Sequence, residues 1–238
     1  VKDVIAQVGT IELINQNVYQ VTLKVENQSF IAGQYLMIVL PTGESVPYSI
    51  GSAPHELPEL TLFILVNDEA SLAYRVIDFL KNHTDITLKM PGGDSHVASS
   101  LITPEVEHIL LIAGGTGFSQ IKSMYDHLKH QKYSGKVSFY WGVRTPADIF
   151  QKQWLKSMAD SENGFTVNIV VNEPDDSWGG RSGWLYQAIQ DDYEDLSNSV
   201  AFISGSVAMV YGTLDQLKSS GLQDAQCASD VFAYAPRP

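Results

Sequence analysis

The sequence predicts two domains of different class: an antiparallel β-barrel over residues 1–100 and an α/β parallel-sheet domain over residues 101–238. Three observations predict this. The first hundred residues carry short apolar runs in strand period between turn residues. The remainder alternates strand-like with helix-like segments. A cluster of glycines follows one of those strands and opens a helix. At 238 residues the chain is long for one domain and comfortable for two.

Within the first part, Val18–Val25 places Tyr19, Val21, Leu23 and Val25 at alternate positions, which is strand period. Tyr35–Leu40 and Leu60–Val66 are short β-rich runs, and Gly33, Pro41, Gly43, Pro54 and Pro58 punctuate them as turns. Ser71–Asn82 differs: Leu72, Val76, Phe79 and Leu80 recur at helical spacing, and Ser71 suits the N-cap. A polar stretch, Ser99–Glu105, marks the domain boundary. Beyond it the predicted strands are Ile109–Ala113, Val137–Val143, Phe165–Val171 and Val200–Ser204. The predicted helices run to about His130, then over Asp148–Met158, Ser182–Gln190 and Val207–Ser219. This alternation implies a parallel sheet covered on both faces.

Composition removes several functions. Apolar runs such as Ile109–Ala113 are far too short to span a bilayer, and no charged region preceding an apolar stretch suggests a signal peptide. Cys227 is the only cysteine, which excludes an intrachain disulfide and a four-thiolate iron–sulfur cluster and fits a reducing cytoplasm, the expected location. A net charge of −12 makes nucleic acid and anionic membranes poor partners. His55, His83, His96, His108, His127 and His130 lack metal-ligand spacing, so surface or loop positions and no metal site are expected. Cys227 reads as a small semi-buried residue, and Asp191, Asp192, Glu194 and Asp195 read as a solvated face.

The strongest local motif is Ile112-Ala-Gly-Gly-Thr-Gly-Phe-Ser119. Gly114, Gly115, Thr116 and Gly117 can turn sharply and let a phosphate approach the amides of the following helix. The dinucleotide fingerprint is incomplete: Gln120 stands where the third glycine is expected. The acidic residue expected after the second strand is replaced by Arg144, which suits a phosphate or adenine contact better than ribose hydroxyls. The alternative is a tight strand–helix turn without a ligand. Arg181 is equally consistent with a structural loop role and with a cofactor phosphate. In Val46-Pro-Tyr-Ser-Ile50, Tyr48 can stack on a heteroaromatic ring and Ser49 can bond a ring nitrogen, although an aromatic beside a serine in a strand is more often half-buried packing.

Taken in order, Ala32-Gly-Gln-Tyr-Leu36, Pro47-Tyr-Ser49, Gly114-Gly-Thr-Gly117, Gly142-Val-Arg144, Ser204-Gly-Ser206 with Met209, and Asp230-Val-Phe-Ala-Tyr234 resemble the ferredoxin–NADP reductase superfamily. Within it the chain is most similar to the short bacterial NAD(P)H:flavin reductases, including those that serve luciferase. The resemblance covers essentially the whole chain. It implies a flavin-binding barrel followed by a domain that binds NADH or NADPH. Pro47, Tyr48, Ser49 and Phe232 would contact flavin, with Ser49 near the atom that receives hydride and so the catalytic residue. Gly114, Gly115, Thr116, Gly117, Arg144, Gly205 and Ser206 would hold the dinucleotide, and Gly205 would leave room for its nicotinamide.

Two departures from the family pattern bear on flavin. Val46 replaces an arginine that meets the flavin phosphate, and Val66–Ser71 carries Asp68 and Glu69 where relatives have a pyrophosphate-binding loop. Both imply that riboflavin, FMN or FAD is a dissociable substrate, passed on reduced to a monooxygenase, a luciferase or ferric iron. Three other readings stay open. They are a reductase with tightly bound FAD serving a protein partner, a ferric-siderophore reductase, and a non-catalytic nucleotide-binding module.

Overall fold

Alternating apolar residues pleat the first half into strands with one face inward. The computed structural model describes residues 1–158 and 163–238. Strands β1 (Lys2–Leu13), β2 (Val18–Val25), β3 (Tyr35–Val39), β4 (Ser45–Ser49), β5 (Glu59–Leu65) and β6 (Asp85–Gly92) form an antiparallel sheet in the order β4-β3-β6-β1-β2-β5. Just past β4, Gly51 N donates to Thr61 O at 2.7 Å, so the two edge strands meet and the sheet closes toward a barrel. Val21, Leu23, Leu36, Ile38, Leu60, Leu62 and Leu88 fill its interior. Helix α1 (Leu72–Lys81) buries Val76, Ile77 and Leu80 against it, and the Ser71 hydroxyl accepts from Tyr74 N at 3.1 Å as the expected cap.

Strands β1 and β6 were not among those the sequence singles out. In β1 the apolar residues fall on both faces: Val4 and Ala6 are buried while Ile5 is 65% exposed. A bulge between Val8 and Ile11 then shifts the register, and Thr10 N donates to Thr22 Oγ1 instead of the ladder. In β6, Ile86, Leu88 and Met90 alternate inward, but Pro91 near its end reads as a strand breaker.

Residues 93–107 lead into the second sheet. Its strands β7 (His108–Gly114), β8 (Lys136–Val143), β9 (Phe165–Val171), β10 (Arg181–Ser182), β11 (Ser199–Ser204) and β12 (Cys227–Ala228) are parallel, in the order β10-β9-β8-β7-β11-β12. Helices α2 (Phe118–His130), α3 (Lys152–Ser157), α4 (Leu185–Asp192), α5 (Val207–Leu217) and α6 (Val231–Tyr234) connect or follow them. Alternate strand residues feed opposite layers: Leu111, Phe139 and Phe202 one, Leu110, Tyr140 and Ile203 the other. Burial on both faces explains the near-continuous apolar runs. The chain leaves β7 toward β8 and returns to β11 on its other side, so the strand order reverses between β7 and β11.

Two helix boundaries differ from expectation. Over 148–158 the Asp148 carboxylate accepts from Thr145 N and its hydroxyl, both at 2.9 Å, closing a short turn; Gln151 is left-handed at φ 58°, and the helix starts only at Lys152. Over 182–190, Arg181 and Ser182 pair with β9, Gly183 turns at φ 106°, and α4 begins at Leu185.

Candidate functional site

Ligands of open parallel sheets lie outside the carboxyl ends of the strands where their order reverses. Here that crevice is flanked by Gly114–Gly117 after β7 and Ser204–Ser206 after β11. The glycines have different reasons to be glycine. Gly115 sits at φ 54°, and a Cβ placed on it would meet nothing within 4 Å. Its carbonyl accepts from Trp141 Nε1 at 2.9 Å, which fixes the turn. Gly117 has ordinary helical angles, but a Cβ there would stand 2.2 Å from Ser204 O. Its backbone is pressed onto the end of β11. The open cradle at Gly115, behind which α2 begins, fits a dinucleotide phosphate.

The α2 helix then joins this turn to the barrel. Gln120 Nε2 donates toward Gly33 O at 2.7 Å, Ser95 O at 3.2 Å and Asp230 Oδ2 at 3.0 Å. One turn on, Ser123 Oγ donates to Ser52 O at 2.7 Å, and the buried Lys122 pairs with Asp126 at 2.7 Å. Gly33 is glycine because its φ is 108° and a Cβ would meet Met124 Cε at 2.4 Å and Ser95 O at 2.6 Å. Two residues later Tyr35 pairs across the ladder with Ser49. The glycine turn and Ser49 are therefore tied to one seam by the first turns of α2, about 1.5 Å of rise per residue.

Within β4, alternation sends neighbouring side chains to opposite faces. Val46 and Tyr48 pair with the fully buried Ile38 and Leu36, and Pro47 and Ser49 pair with Met37 and Tyr35. Val46 is part of the barrel core. Tyr48 is half-buried against that core, and burial pushes its hydroxyl up to about 12. The Tyr35 ring seats on Gly92 and Gly93, where an added Cβ would lie 2.7 Å and 3.0 Å from it. Asp230 approaches the same place, and burial raises its carboxyl to about 6 against the opposing Gln120 hydrogen bond.

The profile of the oxidoreductase NAD-binding domain family matches residues 111–215, which hold the second half of β7, the glycine turn and strands β8 to β11. An NAD(P)H-flavin reductase of Vibrio harveyi is 32% identical over 236 residues, covering 96% of this chain and 98% of that relative. The chain belongs to the NAD(P)H-flavin reductase family. A second member, from Aliivibrio fischeri, is 30% identical over 96% of this chain and 98% of its own length. The ferredoxin reductase of carbazole 1,9a-dioxygenase superposes with a TM-score of 0.82 at 20% identity, covering 97% of this chain and 69% of that one, and shows the same fold.

In this flavin reductase family member, the other residues singled out from sequence are placed as follows. Gly205 lies beside Gly114, and the space next to its α-carbon holds Met209 Sδ, 2.7 Å from where a Cβ would be. The Ser206 hydroxyl caps α5 by accepting from Met209 N at 3.2 Å. Arg144 is exposed at the end of β8 and faces Glu173 at 3.6 Å. Phe232 packs on Tyr211 at 5.7 Å, within the second half rather than on β4. Thr116 is half-buried within the turn.

One open alternative is narrowed and two readings are corrected. Arg181 is structural: it donates to Asp192 at 2.6 Å and to Ala188 O at 3.0 Å. Asp192 is correspondingly not a freely solvated acid, since it also accepts from the Tyr140 hydroxyl. His108 is neither surface nor loop; it is buried in β7, bonded to Ser138 Oγ at 2.8 Å and packed on Tyr193. Sequence reasoning missed the seam residues Asp230 and Tyr35 as polar and aromatic partners. The one available signal was Gln120, a long amide in a glycine position. Among the described residues no group of three or more histidine, cysteine or acidic residues could hold a metal, and no helix is long and apolar enough to cross a membrane.

Proposed function

We propose that the chain transfers hydride from NADH or NADPH to a flavin that enters and leaves as a substrate. The observation that carries this reading is the open left-handed Gly115 turn joined through Gln120 to Gly33, two residues before the barrel strand that pairs with Ser49. The dinucleotide supplies the hydride and the flavin accepts it; the protein supplies proximity and alignment. The barrel half, 1–100, would hold flavin through Pro47, Tyr48 and Ser49, and the second half, 101–238, the dinucleotide. Gly114–Gly117, Gly205, Ser206 and Arg144 would line the dinucleotide path. Phe232 would close the far side of the pocket, next to Tyr211. Reduced flavin would serve a monooxygenase, a luciferase or ferric iron in the cytoplasm.

The test is NAD(P)H oxidation with and without free flavin: turnover that requires added flavin supports the reading, and none in either condition refutes it. Ser49→Ala is expected to slow hydride transfer by about two- to tenfold, the weight of one neutral hydrogen bond. KM for NAD(P)H should move less. Wild-type single-turnover rates in that variant would remove Ser49 from the chemistry.

Flavin retention follows from charge. Val46 lies in the core, and Arg75, one candidate to replace a phosphate-binding arginine, faces Glu44 at 3.4 Å. Asp68 turns its carboxylate back to Ala70 N at 2.8 Å in an exposed acidic loop. A missing charge-assisted bond to phosphate is worth roughly ten- to a hundredfold in affinity. The purified protein should be nearly colourless and bind riboflavin at least as well as FAD. Stoichiometric FAD surviving gel filtration would instead favour the tightly bound reductase.

A further inference from the structure

We infer that this chain discriminates in favour of NADH over NADPH, and that Glu173 is the residue that does so. The inference rests on reading the glycine turn as the dinucleotide site. In such folds the adenosine ribose meets the end of the strand next to the turn, where an acid takes its hydroxyls or an arginine its 2′-phosphate. Here the end of β8 carries Arg144, which by itself points to NADPH.

The acid arrives from the neighbouring strand. Asn172 N donates to Val143 O at 2.9 Å and Glu173 N to Arg144 O at 2.7 Å, so the ladder continues past both strand ends and fixes Glu173 beside Arg144. Its carboxylate lies 3.6 Å from the guanidinium, with both side chains exposed. An exposed pair of this kind adds little to stability, so folding gives no reason for it. Arg181, the other cation of these two loops, is committed to Asp192. Asp175 and Asp176 follow Glu173 closely, and Ser177 hydroxyl and amide bonds hold the Asp175 carboxyl below its ordinary range. A 2′-phosphate would bring about −1.5 to −2 charge to a spot whose guanidinium is already paired and whose neighbours are acids. A bare ribose diol would find a carboxylate acceptor.

The test is equilibrium titration of the full chain with NAD⁺ and NADP⁺, for wild type, Glu173→Gln, and Glu173→Gln combined with Arg144→Ala. Wild type should bind NAD⁺ at least about tenfold tighter. Glu173→Gln should bring the two affinities to within about threefold, mainly by tightening NADP⁺, and removing Arg144 as well should cancel that gain. A ratio unmoved by Glu173→Gln, with both nucleotides still bound and NADH oxidised in the presence of flavin, overturns the inference alone. If neither nucleotide binds, the site reading falls and the inference with it.

Discussion

Gly117→Ala is expected to cost more stability than any other single-methyl change in the glycine turn, and to abolish dinucleotide binding with it. The added Cβ would stand 2.2 Å from Ser204 O and 2.5 Å from Ser204 C, both backbone atoms of β11. No rotamer change can relieve a backbone contact, so α2 or β11 must shift. Overpacking of this kind costs about 3 kcal/mol, toward the upper end of its usual range. At this chain length that is a fall of roughly 6–12 °C in Tm. The shift would also displace Gly115 and the start of α2, and with α2 the Gln120 bolt to the barrel. Gly115→Ala is the control that separates space from conformation. Its φ of 54° costs an alanine about 1–2 kcal/mol, but no atom opposes the methyl group. It should melt closer to wild type and yet bind NAD⁺ more weakly, because the methyl projects into the open cradle. Equal melting temperatures for the two variants would mean that Gly117 is not pressed onto β11.

Much of this arrangement was legible because its residues act locally. The β7 turn, the Ser71 cap and the alternating strands of the second half each declare themselves within a few residues. What stayed hidden depends on partners far along the chain. The bolt formed by Gln120 reaches residues 33, 95 and 230, and no local pattern encodes that meeting. Arg181 could not be assigned from sequence because its meaning lies in Asp192, at the far end of the helix that follows its loop. His108 sits in an apolar run and reads as an intruder; only the serines on β8 and β11, Ser138 and Ser199, make it a satisfied core residue. In β1 the bulge destroys the period on which strand reading depends. The Arg144–Glu173 pair is likewise a product of sheet order, since β8 and β9 bring together residues that are far apart in the chain.

Sheet order also sets how stability should respond to acid, because two buried groups pull in opposite directions. Burial and the nearby Lys136 charge depress His108 from 6.5 to about 4. Above pH 6.5 it is neutral in both states. Below that, the unfolded chain takes a proton that the folded chain refuses, so stability is lost as pH falls toward 4. Burial raises Asp230 from 3.8 to about 6. Below pH 3.8 it is protonated in both states; as pH rises, the unfolded chain ionises first, so stability is lost through pH 6 and regained on acidification. At about 1.4 kcal/mol per pKa unit, each effect is on the order of 3 kcal/mol, and they largely cancel between pH 4 and 6.5. His127, depressed by burial and by the His55 and His130 charges, adds to the acid loss. Asp192, which burial raises but Arg181 and Tyr140 hydrogen bonds together hold low, and Asp215, held low by Arg237, lose their contributions only at more acid pH. Urea midpoints at pH 5 and pH 7.5 separate the two groups. Asp230→Asn should be more stable than wild type at pH 7.5, since Gln120 can still donate to the amide oxygen, and should lose stability steeply on acidification. His108→Asn should do the reverse and gain stability at pH 5 relative to pH 7.5. If both variants keep the wild-type pH slope, neither group titrates across this window, and the seam around Asp230 must be wetter than its hydrogen bonds imply.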